Sequence, residues 1–197
     1  MASNRNRWSD HYTRRAKREN FPARSVYKLQ EMQRRYNLIR KGDRVLDLGC
    51  FPGSWLLYAA KLTTASGRVV GIDLKPVTEK LPAQVTVFEG DVTTWTDGLA
   101  EQLGGNYHVV LSDMAPATTG QKDVDAARSH RLCRTALQFA DELLRPGGNF
   151  ACKIFQGSEF AEFSNAVKKR FKTERIYKPR SSRKTSKEIY ILGTGKI

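Results

Sequence analysis

Apolar, β-branched runs alternate along this chain with stretches whose apolar residues recur every three or four positions. The runs Arg44–Gly49, Arg68–Asp73, Val85–Glu89, Tyr107–Asp113, Asn149–Phe155, Thr173–Lys178 and Glu188–Gly193 read as strands, bounded by Gly, Pro or Asp. Helical spacing fills the gaps at Arg24–Tyr36, Ser54–Leu62, Trp95–Leu103, Val124–Leu144 and Ser158–Phe171, with Pro146-Gly147-Gly148 stopping the longest helix. The alternation predicts an α/β fold: seven strands in one open, twisted, doubly wound sheet, with loops gathered at the carboxyl ends of the strands. Ligands are expected there.

Charge changes the picture because of where it lies. Residues 1–44 carry 13 Lys+Arg against 4 acids and residues 168–197 carry 11 against 2, while the middle is mildly acidic, within a net charge of +14. Two basic ends around an acidic body predict a polyanion partner, since each phosphate contact releases counterions. Trp8, His11, Tyr12, Phe21 and Tyr27, interleaved with the arginines, are candidate stacking surfaces for bases. The 197 residues fit one domain, read as a basic arm over 1–24 followed by a single domain over 25–197. Three scattered cysteines, Cys50, Cys133 and Cys152, offer neither a disulfide framework nor a metal site. With no signal-type or membrane-spanning apolar run, and with Asp10 and Glu19 unsuited to an organelle presequence, the expectation is a cytoplasmic monomer that contacts no membrane.

Chemistry concentrates in Asp47-Leu48-Gly49-Cys50-Phe51-Pro52-Gly53-Ser54-Trp55, a strand end passing through a glycine loop into a helix. About 20 residues on, Asp73 ends the next strand, placed to accept hydrogen bonds from both hydroxyls of a ribose. The loop lacks the G-x-G-x-x-G of a dinucleotide site and the Gly-Lys-Ser/Thr of a P-loop. Asp47 at its start suits a cationic amino-acid tail, so S-adenosylmethionine fits best. Asp91 ends the third strand where an adenine amino group would be bound, although such a residue is also a common turn former.

Five ordered words then resemble the FtsJ/RrmJ family of ribose 2'-O-methyltransferases over nearly the whole chain. They are Ser25-Val26-Tyr27-Lys28-Leu29, the glycine loop from Asp47 to Trp55, Ser112-Asp113-Met114-Ala115-Pro116, Lys153-Ile154-Phe155-Gln156-Gly157, and Lys178-Pro179-x-Ser181-Ser182-Arg183 with Ser186-x-Glu188-x-Tyr190. Ser54, Cys50 and Phe51 depart from the family's usual glycine and alanines. The resemblance implies a Rossmann-like S-adenosylmethionine-dependent methyltransferase fold with a seven-stranded, mostly parallel sheet and helices on both faces. It implies catalytic Lys28, Asp113, Lys153 and Glu188, and a cofactor site of Asp47, Gly49, Pro52, Gly53, Trp55, Asp73, Asp91 and Asp113, without a metal. It implies methylation of a ribose, in a uridine, of large-subunit ribosomal RNA.

A ribose 2'-hydroxyl is a poor nucleophile until its proton leaves. Lysine, with a reference pKa of about 10.4, serves as base only if Lys28 and burial lower it. Asp113 and Glu188 oppose that, so Lys153 stands either as base or as electrostatic stabiliser. The loop after the fourth strand lacks the Asn/Asp-Pro-Pro-aromatic clamp of amine methylation, and no cysteine is placed for attack on a pyrimidine carbon, since Cys152 must face away from Lys153. The alternatives are an inactive RNA-binding assembly factor of the same fold and a relative acting on transfer RNA.

Overall fold

The computed structural model describes residues 5–94, 97–183 and 186–197. Its elements are α1 (Arg5–Arg18), α2 (Val26–Tyr36), β1 (Arg44–Leu48), α3 (Ser54–Thr63), β2 (Arg68–Asp73), β3 (Val85–Glu89), α4 (Asp97–Leu103), β4 (Tyr107–Ser112), α5 (Lys122–Leu143), β5 (Leu144–Phe155), α6 (Phe160–Lys168), β6 (Phe171–Tyr177) and β7 (Glu188–Lys196). The strands form one sheet in the order β3-β2-β1-β4-β5-β7-β6. The first five run parallel, and β7 is antiparallel to both β5 and β6. Winding reverses between β1 and β4, which opens a crevice beyond their carboxyl ends.

Alternation along the strands builds the two layers. Leu46, Leu48, Val110, Cys152, Ile154 and Ile191 pack against α4, α5 and α6. Val45, Val109, Leu111, Ala151, Tyr190 and Leu192 face α2 and α3. Both faces of the central strands are covered, so they read as apolar runs with few breaks. Asp47 and Lys153 are such breaks, and the period of two puts each on the α2/α3 side. Cys152 points to the opposite layer, as expected, and all three cysteines are free and buried.

The structure departs from the sequence pattern in three places. Helix α1 lies where no element was expected. Its Ala16 and the following Phe21 close a small core with Val26 and Tyr27, against which Tyr12, Leu57 and Tyr58 pack. Phe21 and Tyr27 are 5% and 2% exposed, so they hold the helix down and are not stacking surfaces for bases. The side chain of Trp8 lies outside the described residues, as does the expected helix start at Trp95. Secondly, α5 ends at Leu143 and Leu144 already pairs with Tyr107, while Val109 pairs with Asn149. Residues 145–148 therefore loop out of register ahead of the predicted strand. Thirdly, α6 stops at Lys168, where Phe171 turns into the core and begins β6 two residues early. Among the described residues no helix is long and apolar enough to cross a membrane.

Candidate active site

Four side chains from four elements converge beyond the carboxyl end of β4. Asp113 follows β4, Lys153 lies on β5, Glu188 begins β7, and α2 lays Lys28 across them. Lys153 Nζ is 3.0 Å from Asp113 Oδ1 and also donates to the Asp113 carbonyl oxygen. Lys28 Nζ lies 2.9 Å from Glu188 Oε1 and 3.7 Å from Asp113 Oδ1. The register explains the convergence: β5 and β7 pair antiparallel with Lys153 opposite Tyr190, and Glu188 shares a strand face with Tyr190. Lys153 is only 6% exposed. Its ammonium offers three donors, and Asp113 occupies two.

Tyr190 is a site residue to which the sequence assigned no role. Its hydroxyl donates to Asp113 Oδ1 at 2.5 Å. Burial, then the charge of Asp113, pushes this phenol well above its usual range, which keeps it a donor. Burial also works to raise the Asp113 carboxyl, but Lys153, Lys28 and the Tyr190 hydroxyl outweigh it and hold the group below its ordinary value. The spacing of two between Glu188 and Tyr190 was the available signal.

The expected cofactor residues divide by environment. Asp47, 1% exposed, has neither carboxylate oxygen hydrogen-bonded. Burial first, then the nearby Asp113 and Asp73, drives its pKa well up. A buried carboxylate without partners fits a cationic guest. Gly49, at φ +76°, leaves no room for a side chain, because an added Cβ would collide with Met114 Cγ. Gly53 takes φ +104° at the start of α3, and Pro52 lies half-buried between them. Asp73 accepts from the Phe51 and Lys75 amides at 2.9 Å each, which fixes the loop and leaves one lone-pair site free on each oxygen. Asp91 caps a local turn through Thr93, whose hydroxyl and amide lie 2.7 and 2.8 Å from Oδ1 and lower its pKa. Trp55 is placed differently: 3% exposed, it donates its indole N–H to Ser25 O at 2.9 Å and tilts against Tyr190, so its polar edge anchors α2. No cluster of metal-ligating side chains occurs among the described residues.

A doubly wound sheet with a glycine loop, a carboxylate at the end of its second strand and a lysine–carboxylate centre at its switch point places the chain in the Rossmann-like α/β class, whose ligands sit at that crevice. Comparison with known proteins makes the class particular. The FtsJ-like methyltransferase family matches residues 21–196. Similar curated proteins include the ribosomal RNA large subunit methyltransferase E of Desulforapulum autotrophicum, 59% identical over 192 residues that cover 98% of this chain and 95% of that one. Another, of the same name, is that of Desulfosudis oleivorans, 52% identical over 188 residues, with 95% and 90% covered. A solved ribosomal RNA methyltransferase structure from Plasmodium falciparum superposes with TM-score 0.76 at 25% identity, over 89% of this chain and 98% of that one. The chain belongs to the FtsJ-like methyltransferase family.

Proposed function

We propose that the protein transfers the methyl group of S-adenosylmethionine to the 2'-hydroxyl of a ribose, that of a uridine, in large-subunit ribosomal RNA. The observation that carries this reading is the buried Lys153 held by Asp113 beside the Lys28–Glu188 pair. The names of the curated relatives supply the RNA. The orphaned Asp47 carboxylate suits the ammonium of a methionyl tail, Asp73 has lone pairs left for ribose hydroxyls, and Asp91 has its second oxygen for an adenine amino group. Gly49, Pro52 and Gly53 form the backbone wall between them.

When bound, the cofactor supplies a sulfonium methyl that needs only in-line approach by an oxygen. The protein's own work is to place and polarise that oxygen. Asp113 engages Lys153 through its carboxylate and its carbonyl oxygen, which leaves an N–H of the ammonium for the incoming 2'-oxygen, where it stabilises the negative charge that develops as the hydroxyl proton passes to solvent water. Tyr190 and Lys28 fix Asp113 in turn, so the centre needs little rearrangement at the moment of transfer. This geometry favours Lys153 as electrostatic stabiliser. Incubation with labelled S-adenosylmethionine and large ribosomal subunits, followed by nucleoside mass spectrometry, tests the reading. A 2'-O-methylated nucleoside is expected, and a methyl group on a base would refute it.

A further inference from the structure

Beside the catalytic cluster lies a cavity of about 390 Å³, one wall of which is formed by Lys28 and Glu188 themselves. Arg24 and Arg183 line it as well, together with Ser181 and Ser182. Among the described residues that line it, Glu188 is the only carboxylate, and it is already paired with Lys28. Burial, then the nearby Arg183, lowers the Arg24 pKa, as expected for cations that share a space. The hydroxyl oxygens of Ser181 and Ser182 are buried without a hydrogen-bond partner, and Ser181 is 1% exposed. Such groups are costly to leave unpaired.

The loop that carries them is built to stay in place. Glu31 accepts from the Arg180 and Ser181 amides at 2.7 and 2.9 Å, and Arg24 donates to Ser181 O at 2.6 Å. Two guanidinium groups and two unpaired hydroxyls around one opening match the acceptor oxygens of a phosphodiester. The 2'- and 3'-oxygens of a ribose sit on adjacent carbons. A ribose with its 2'-oxygen at Lys153 carries its 3'-phosphate closer to that oxygen than its 5'-phosphate, and this cavity is the polar space that shares Lys28 and Glu188 with the cluster.

On the reading of the site given above, we propose that this cavity binds the single phosphodiester on the 3' side of the target nucleotide and so sets which ribose oxygen meets the methyl donor. The test is a cycle of binding measurements on target RNA carrying one neutral methylphosphonate, 3' or 5' of the target, with wild type and Arg183→Ala. The 3' substitution should weaken wild-type binding roughly 10- to 100-fold, as for hydrogen bonds to a charged group. Arg183→Ala should weaken binding of unmodified RNA similarly, and the two changes together should do little more than either alone. Ser182→Ala, read in the same cycle, should show smaller coupling of the same sign. Additive losses, or coupling only to the 5' linkage, would overturn the subsite. Methyl mapping on the same samples separates the two readings: preserved coupling without 2'-O-methylation supports the subsite and removes the assigned activity.

Discussion

Asn at position 47 would keep the shape of Asp47 while removing an ionisable group that the fold leaves unpaired. The carboxyl is 1% exposed, accepts no hydrogen bond, and has its pKa driven well up by burial and by Asp113 and Asp73. An unfolded aspartate ionises near about 3.9. Between that value and the raised folded value the native state holds a proton that the unfolded state has lost, so stability falls as pH rises. Each unit of that window costs about 1.4 kcal/mol. Asp47→Asn removes this slope. Without cofactor, the variant should match wild type near pH 4 and exceed it by an increasing margin toward neutrality, less about 1–3 kcal/mol if the new amide also goes unpaired. Urea midpoints at pH 4, 5.5 and 7 measure it. With S-adenosylmethionine the order should reverse: affinity by titration calorimetry falls roughly 10- to 100-fold, because the ligand's ammonium loses its counter-charge. Parallel pH profiles, or cofactor affinity equal to wild type, would refute the assignment of Asp47.

Asp73→Ala should weaken cofactor binding by roughly 1.5 to 3 kcal/mol through lost ribose hydrogen bonds, read by the same calorimetry. Asp113→Asn should destabilise the fold by about 3–5 kcal/mol at neutral pH, because it leaves the nearly buried Lys153 without its ionic partner. Since the folded Asp113 carboxyl lies below its ordinary value, that difference should be present above about pH 3.9 and disappear as pH falls through the folded value. Replacing Arg14 and Arg15 with alanine, alongside Arg5 and Arg7, should weaken RNA binding and lower the slope of log K against log salt by about 0.7 for each phosphate that is no longer neutralised. Cofactor affinity should stay unchanged, and an unchanged salt slope would show that these arginines meet no phosphate.

The strands and the glycine loop were legible because each is coded locally. Lys153 stood out as a polar break in an apolar run, and a period of two set it on the face opposite Cys152. Helix α1 was not legible because its stripe is sparse and its partners, Tyr27, Leu57 and Tyr58, come from later elements. The aromatic residues near the amino end misled for the same reason: Phe21 and Tyr27 look like base platforms among arginines, yet they form the contact that docks α1. The placing of β7 between β5 and β6 depends on long-range pairing that no local pattern carries. That pairing brings Tyr190 opposite Lys153, and Glu31 gathers Ser181 from 150 residues away. Trp55 belongs to a motif word around the glycine loop, and its indole N–H is spent on Ser25 at the start of α2.

In the proposed reaction the Lys153 ammonium, oriented by Asp113, activates a ribose hydroxyl while other residues hold the cofactor. Single-turnover methylation by Lys153→Ala at saturating RNA and S-adenosylmethionine, with cofactor affinity measured on the same preparation, tests it most directly. The expected result is a fall of roughly 100-fold or more in the rate of 2'-O-methyl formation with little change in cofactor affinity. A rate near that of wild type would contradict it.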